Sequence, residues 1–178
     1  MNHTCLISSK RRDIEGDRQR NGFTLMELLI VIAIILILML VAIPTAGTIR
    51  KHANELSAQK SLQTLQQAES MYESNYGAVG YACSLQALSG DPSSGPPSAA
   101  AAQVISGELA TGYKSGYIFA ITSCTKNTTN NTERVTSFTL TAVPATPGKT
   151  GDRGFCLDLN SGMKADPAGG TNCTQMVQ

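Results

Sequence analysis

The chain has 178 residues, which suits one domain with an appended segment and leaves no room for a second large domain. Its 14 Lys and Arg residues are balanced by 13 Asp and Glu residues, so its overall charge does not predict a nucleic-acid-binding surface. The sequence holds two histidines, His3 and His52, and both precede residue 76. A His-dependent triad therefore cannot form in the C-terminal region, and we expect neither an enzyme nor a cofactor-binding or metal-binding protein.

Residues 1–22 form a polar leader with five basic and three acidic residues, and an apolar segment follows it. Basic residues that flank a membrane segment stay on the cytoplasmic side. Arg50 and Lys51 on the far flank oppose this orientation with fewer positive charges. We therefore predict a cytoplasmic N-terminus and export of the chain from about residue 45 onward.

The apolar segment reads FTLMELLIVIAIILILMLVAIP, and Glu27 is its one charged residue. About 20 helical residues extend ~30 Å, which is enough to cross the hydrocarbon core of a bilayer. A buried globular helix is rarely apolar on every face over this length. A cleaved secretory signal has a shorter apolar core and a small-residue cleavage site, which Ile43-Pro44 does not provide. We predict a transmembrane helix that stays with the protein.

The border between leader and apolar segment reads Arg20-Asn21-Gly22-Phe23-Thr24-Leu25-Met26-Glu27. This sequence resembles the cleavage and methylation site of the type IV prepilin family. The resemblance implies that a membrane peptidase cuts after Gly22 and methylates the new N-terminus at Phe23. Glu27 then stands at the fifth position of the mature chain, where the family carries its glutamate.

Glu27 also calls for a partner on physical grounds, because a carboxylate within an apolar helix is costly unless it is paired or lies near the membrane surface. It could lie near the positive N-terminus of its own helix, or accept the Phe23 amine of a neighbouring helix and so set the register between subunits. A glutamate that extends to the lipid headgroups is the remaining alternative.

Pro44 interrupts the helical hydrogen bonds, and Gly47 weakens the same turn. We interpret the pair as a hinge in a continuing helix, with a helix that ends at the membrane surface as the alternative. The apolar half of the helix is accordingly assigned to residues 23–48.

Residues 49–76 carry apolar side chains at mostly three- and four-residue spacings, which predicts an amphipathic helix ending near Gly77. Together the two halves predict one helix of about 50 residues. The predicted apolar stripe comprises Ile49, Ala53, Leu56, Leu62, Leu65, Ala68, Tyr72 and Tyr76. We place Glu55 and Glu69 among the polar positions that make up most of the other face.

Residues 77–113 are rich in Gly, Pro and Ser and are interpreted as a connecting region. In residues 114–178, β-rich runs at 117–123, 135–143 and 155–159 predict three strands, and a turn at Asn160-Ser161-Gly162 predicts a short fourth at 163–165. The predicted fold is α+β: a long N-terminal helix, its first half transmembrane, packed on an antiparallel sheet of three to four strands.

Four of the five cysteines lie in the exported part, which predicts two disulfides with three open connectivities. By resemblance to many pilins, which close a C-terminal loop this way, we favour Cys156 with Cys173, and then Cys83 with Cys124. A zinc site is disfavoured because no Cys-x-x-Cys pair is present.

The resemblance implies a structural subunit of a type IV pilus-like filament, a homo-oligomer built with the prepilin peptidase and an inner-membrane assembly complex. The precursor would reside in the inner membrane and the assembled pilus outside the cell. One alternative is a pseudopilin of a type II secretion system, a class that often holds calcium near the C-terminus, with Asp152, Asp158 and Asp166 as conceivable ligands. The other is a membrane-anchored binding module that does not polymerise.

Overall fold

The structure is a computed structural model that describes residues 23–129 and 132–177, with the backbone alone for 41–46. The predicted leader, 1–22, lies outside the described residues, and so does Gly22 of the predicted cleavage site. The chain divides into two compact units, Met1–Val41 and Ala42–Gln178, which are described separately below.

Helix α1 covers Leu25–Asn75, 51 residues, and crosses the division between the units. Thr24 begins it: the Thr24 side-chain hydroxyl accepts a hydrogen bond from the Glu27 amide at 3.2 Å, which satisfies one of the unpaired amides of the first turn. Pro44 and Gly47 lie within its bounds. Because the side chains of 41–46 are not described, the hinge stays a prediction.

Within the part of the chain that the structure describes, no helix has a stretch both long and apolar enough to cross a membrane.

In the second unit, α1 buries a stripe against the rest of the domain. Leu62, Leu65, Ala68 and Tyr72 of the predicted stripe are at most 3% exposed. The beginning of that stripe is wrong, because Ile49, Ala53 and Leu56 are exposed. Glu55, Ala58, Ser61 and Glu69 are buried as well. The buried face follows spacings of three and four residues through Glu55, Ala58, Leu62, Leu65, Glu69 and Tyr72.

The connecting region holds short helical elements, and backbone hydrogen bonds join its second half to its first. Helix α2, Leu85–Leu88, follows an N-cap at Ser84, and 3₁₀ turns form at Pro92–Ser94 and Gly107–Leu109. Backbone amides of 102–105 donate to carbonyls of 87–89, so this Gly- and Pro-rich stretch is pinned by its own backbone hydrogen bonds.

The sheet is an antiparallel meander in the order β1-β2-β3-β4-β5-β6. The prediction of three to four strands is therefore wrong in number, because two-residue strands at the edges are too short to leave a sequence pattern. The central hairpin is also longer than predicted, since its polar Thr- and Asn-rich arms continue the ladder. The strands are β1 Tyr113–Lys114, β2 Tyr117–Thr129, β3 Thr132–Pro144, β4 Gly154–Asp158, β5 Gly162–Asp166 and β6 Gln175–Met176.

The core lies between the buried stripe of α1 and the inner face of the sheet. Tyr117, Phe138, Leu140 and Phe155 supply the sheet side and are at most 1% exposed. Burying these large side chains is the main favourable contribution to folding of the second unit.

Candidate functional site

The first unit presents an apolar surface that no described residue covers. Its large side chains are between 44% and 80% exposed, on every side of the helix. A contiguous apolar area of this kind is rare on a soluble monomer and marks an interaction surface. The exposed residues are Phe23, Leu25, Met26, Leu28, Leu29, Ile30, Val31, Ile32, Ile34, Ile35, Leu36, Ile37, Leu38, Met39 and Leu40.

Glu27 is exposed in the first turn of α1, four residues after Phe23. The Glu27 amide donates to the Thr24 hydroxyl, and the Leu28 amide donates to the Thr24 carbonyl at 3.2 Å. The helix dipole is positive at this end, so the carboxylate lies where a negative charge is favourable. Phe23 directly precedes the Thr24 cap, Glu27 lies in the first turn, and the pairing of Glu27 with a neighbouring chain stays a prediction.

In the second unit, Glu55 joins α1 to the beginning of β4. It is 5% exposed and its Oε2 accepts from Nε and Nη2 of Arg153 at 2.9 and 2.7 Å. Its Oε1 accepts from the backbone amides of Asp152 and Arg153 at 3.0 and 3.2 Å. Burial and then the Glu55 charge raise the pKa of the Tyr117 phenol, whose hydroxyl donates to the Arg153 carbonyl at 2.8 Å.

Two further contacts fix the same junction. Lys51 pairs with Asp152 at 2.9 Å, and the Asn54 amide donates to the Thr150 carbonyl at 2.8 Å. Together with Glu55, these contacts tie two turns of α1 to the loop between β3 and β4.

The structure joins Cys83 to Cys124 and Cys156 to Cys173, the two pairs that the sequence analysis favours. The first disulfide ties the connecting region to β2, and the second holds the C-terminal loop on β4. Both crosslinks restrict the unfolded chain and so favour the folded unit.

The three aspartates considered as calcium ligands are not brought together. Asp152 pairs with Lys51, and Asp158 accepts from the Ser161 hydroxyl at 2.6 Å, which lowers the pKa of Asp158. Asp166 is buried and accepts from the amides of Ala168 and Asn172 at 2.9 and 3.0 Å. Among the described residues, no group of three or more His, Cys, Asp or Glu side chains could hold a metal ion.

Glu69 is the second buried carboxyl group of α1, and it is fully buried. Its Oε2 accepts from the Ala82 amide at 2.8 Å, whereas its Oε1 has no hydrogen-bond partner among the described residues. Burial raises the pKa of Glu69 to about 7, although the Ala82 hydrogen bond acts in the opposite direction.

Sequence reasoning missed Glu55, Glu69 and Arg153. A signal for the two glutamates does exist, because Glu55 and Glu69 continue the register of Leu62, Leu65 and Tyr72 on one helix face. A search for apolar periodicity cannot detect this register, because such a search counts every glutamate as a polar position.

A family model described as the prokaryotic N-terminal methylation motif matches residues 17–43. The match covers the end of the leader, the Gly22-Phe23 junction, Glu27 and most of the apolar half of α1. No curated protein and no solved structure matches the chain.

Proposed function

We propose that this chain, which its N-terminal methylation motif identifies as a type IV pilin-like or pseudopilin precursor, is a structural subunit of a type IV pilus-like filament. The observation that carries the proposal is the methylation motif at residues 17–43, which joins the end of the leader to the apolar segment. Leader processing would leave Phe23 as the first residue of an apolar helix that has no cover of its own.

The exposed apolar helix supports assembly through the first unit. The precursor is anchored in the inner membrane by this helix, and an assembly complex then transfers the helix into a bundle of identical helices. In hydrocarbon there is little apolar driving force between helices, so exchanging lipid for protein contacts costs little free energy. Because this free-energy difference is small, both growth and shortening of the filament are compatible with it.

Glu27 sets the axial register in the proposed filament. The Phe23 amine released by cleavage is a cation, and a carboxylate on a neighbouring helix satisfies it in surroundings that offer no water. The N-cap at Thr24 supports this role, because it orders the first helical turn, which carries Glu27.

Two features favour a pilin over a calcium-binding pseudopilin. The C-terminal loop is closed by the Cys156–Cys173 disulfide. The Asp166 carboxylate, one of the three aspartates considered as calcium ligands, accepts hydrogen bonds from two backbone amides of the same loop.

The substitution Glu27→Gln tests the assembly role, with Glu108→Gln, a change at an exposed carboxylate of the connecting region, as the matched control. A lost charged hydrogen bond costs ~1.5–3 kcal/mol. We expect the Glu27→Gln chain to be processed normally and its yield of sheared, pelletable filaments to fall about tenfold or more. Filament yields equal to those of Glu108→Gln would contradict the proposal and favour a subunit that does not polymerise through Glu27.

A further inference from the structure

Glu69 occupies a junction between α1 and the beginning of the connecting region. The segment 79–83 is held to the sheet by hydrogen bonds of its own: the Tyr81 amide donates to the Val135 carbonyl and the Val135 amide donates to the Val79 carbonyl. The disulfide of Cys83 with Cys124 adds a covalent link to β2. On the α1 side, the Ala82 amide donates to the Glu69 carboxyl group.

The Glu69 carboxyl group is poorly satisfied for its burial. It is 0% exposed, it accepts one hydrogen bond, and Oε1 has no partner in the described part of the chain. A buried carboxylate needs several donors or a cation to offset the loss of water, whereas a neutral carboxylic acid is far less costly. The site is therefore built for the protonated form.

We propose that Glu69 is a proton-operated latch: while its carboxyl group is neutral, the segment around Ala82 stays closed over it against α1, and loss of the proton leaves a buried charge that favours opening of the segment and entry of water. The sheet contacts at Val135 and the Cys83–Cys124 disulfide keep the segment in place during opening, so the change is local. This inference does not depend on filament assembly.

Among the residues that the structure describes, the charged and titratable groups around Glu69 provide no cation to offset its charge. On α1, the Tyr72 hydroxyl donates to the Ala99 carbonyl at 2.7 Å, and Glu73 is paired with Arg134. Arg134 of β3 also donates to the Gly77 carbonyl, so its guanidinium is already engaged. The nearby cysteines of the connecting region and β2 are joined in a disulfide and do not titrate. Tyr81, beside Ala82, packs edge-on against Phe138.

The direction of the pH effect follows from the proton affinity of the two states. The pKa of Glu69 rises from the ordinary 4.5 in the open state to about 7 in the closed state, so the closed state binds the proton more tightly. The latch is fully closed below about pH 4.5, weakens as the pH rises, and reaches its weakest state above about pH 7. Between about pH 5.5 and 8.5 these pKa values give an increase of about 30-fold in the opening equilibrium.

Hydrogen exchange of the full-length chain tests the latch. The measured quantity is the exchange rate of the peptide that contains Ala82, divided at each pH by the rate of the unfolded chain. We expect this ratio to rise about 30-fold from about pH 5.5 to 8.5 in the wild type and in the control Glu108→Gln. In Glu69→Gln, which keeps an acceptor for Ala82 but cannot ionise, the ratio should stay constant.

A ratio that does not change with pH in the wild type would overturn the proposal, and so would a rise that persists in Glu69→Gln. If that variant does not fold, isotope-edited titration of the wild-type Glu69 carboxyl group decides the matter. Titration near pH 7, together with exchange at Ala82 that rises over the same pH range, supports the latch, and titration near the ordinary 4.5 contradicts it.

Discussion

At the residue scale, Glu55 carries four hydrogen bonds to two consecutive residues, Asp152 and Arg153. The Glu55 side chain is 7% exposed while that of Arg153 is 40% exposed. The pair is therefore part-buried, and water attenuates its charge interaction on the arginine side only. Lys126 and Glu133, at 55% and 64% exposure, form an ion pair of ordinary surface type.

These two pairs give a matched prediction for stability. We expect Glu55→Gln to lower the free energy of unfolding by about 2 kcal/mol, because it removes charged hydrogen bonds from a buried position and leaves Arg153 without its partner. Glu133→Gln should change the free energy by less than about 1 kcal/mol. Urea denaturation of both variants provides the comparison. Equal effects would mean that burial of Glu55 does not strengthen its contacts.

The residue scale is also where sequence reasoning succeeded and failed most clearly. The cysteine residues alone leave three connectivities open, and the two disulfides of the structure are the pairs that the resemblance to pilins favours. The buried glutamates were assigned to the polar face because an apolar periodicity counts glutamate as polar. Their helix register indicates burial, but it does not indicate their partners Arg153 and Ala82, which lie outside the helix.

At the scale of elements, α1 illustrates the limit of an apolar stripe. Leu56 and Leu65 both belong to the predicted stripe, yet Leu56 is 46% exposed and Leu65 is fully buried. Nine residues are about 2.5 helical turns, so Leu56 and Leu65 lie on opposite sides of α1, and the predicted stripe changes face at its six-residue step from Leu56 to Leu62. The central parts of the strands were predicted because alternating apolar and polar residues mark a half-buried strand. The polar hairpin arms and the short edge strands carry no such alternation.

The two leucines provide a test of this description on one helix. Leu65→Ala should lower the free energy of unfolding of the second unit by ~2–5 kcal/mol, because it leaves a cavity in the core. Leu56→Ala removes the same atoms from a half-exposed position and should cost less than about 1 kcal/mol. Denaturation of the two variants under one condition measures both values. A larger loss of stability for Leu56→Ala would mean that α1 turns the side of Leu56, and not that of Leu65, toward the core.

At the scale of the whole molecule, the chain combines two units with opposite requirements. The described part of the first unit is an apolar helix whose exposed side chains are not covered by any residue that the structure describes. The second unit buries its own core and carries two disulfides. The methylation motif lies across residues 17–43, at the beginning of the unit that lacks cover. This arrangement is what a processed filament subunit requires, because processing defines the new end of the helix that assembles.

Mass spectrometry of the mature protein, isolated from cell envelopes and from sheared surface filaments, tests the central claim most directly. The account predicts a chain that begins at Phe23 and carries one methyl group on its α-amine, with the same N-terminal peptide in both fractions. A chain that retains the leader, or one that is cleaved elsewhere than after Gly22, would contradict it.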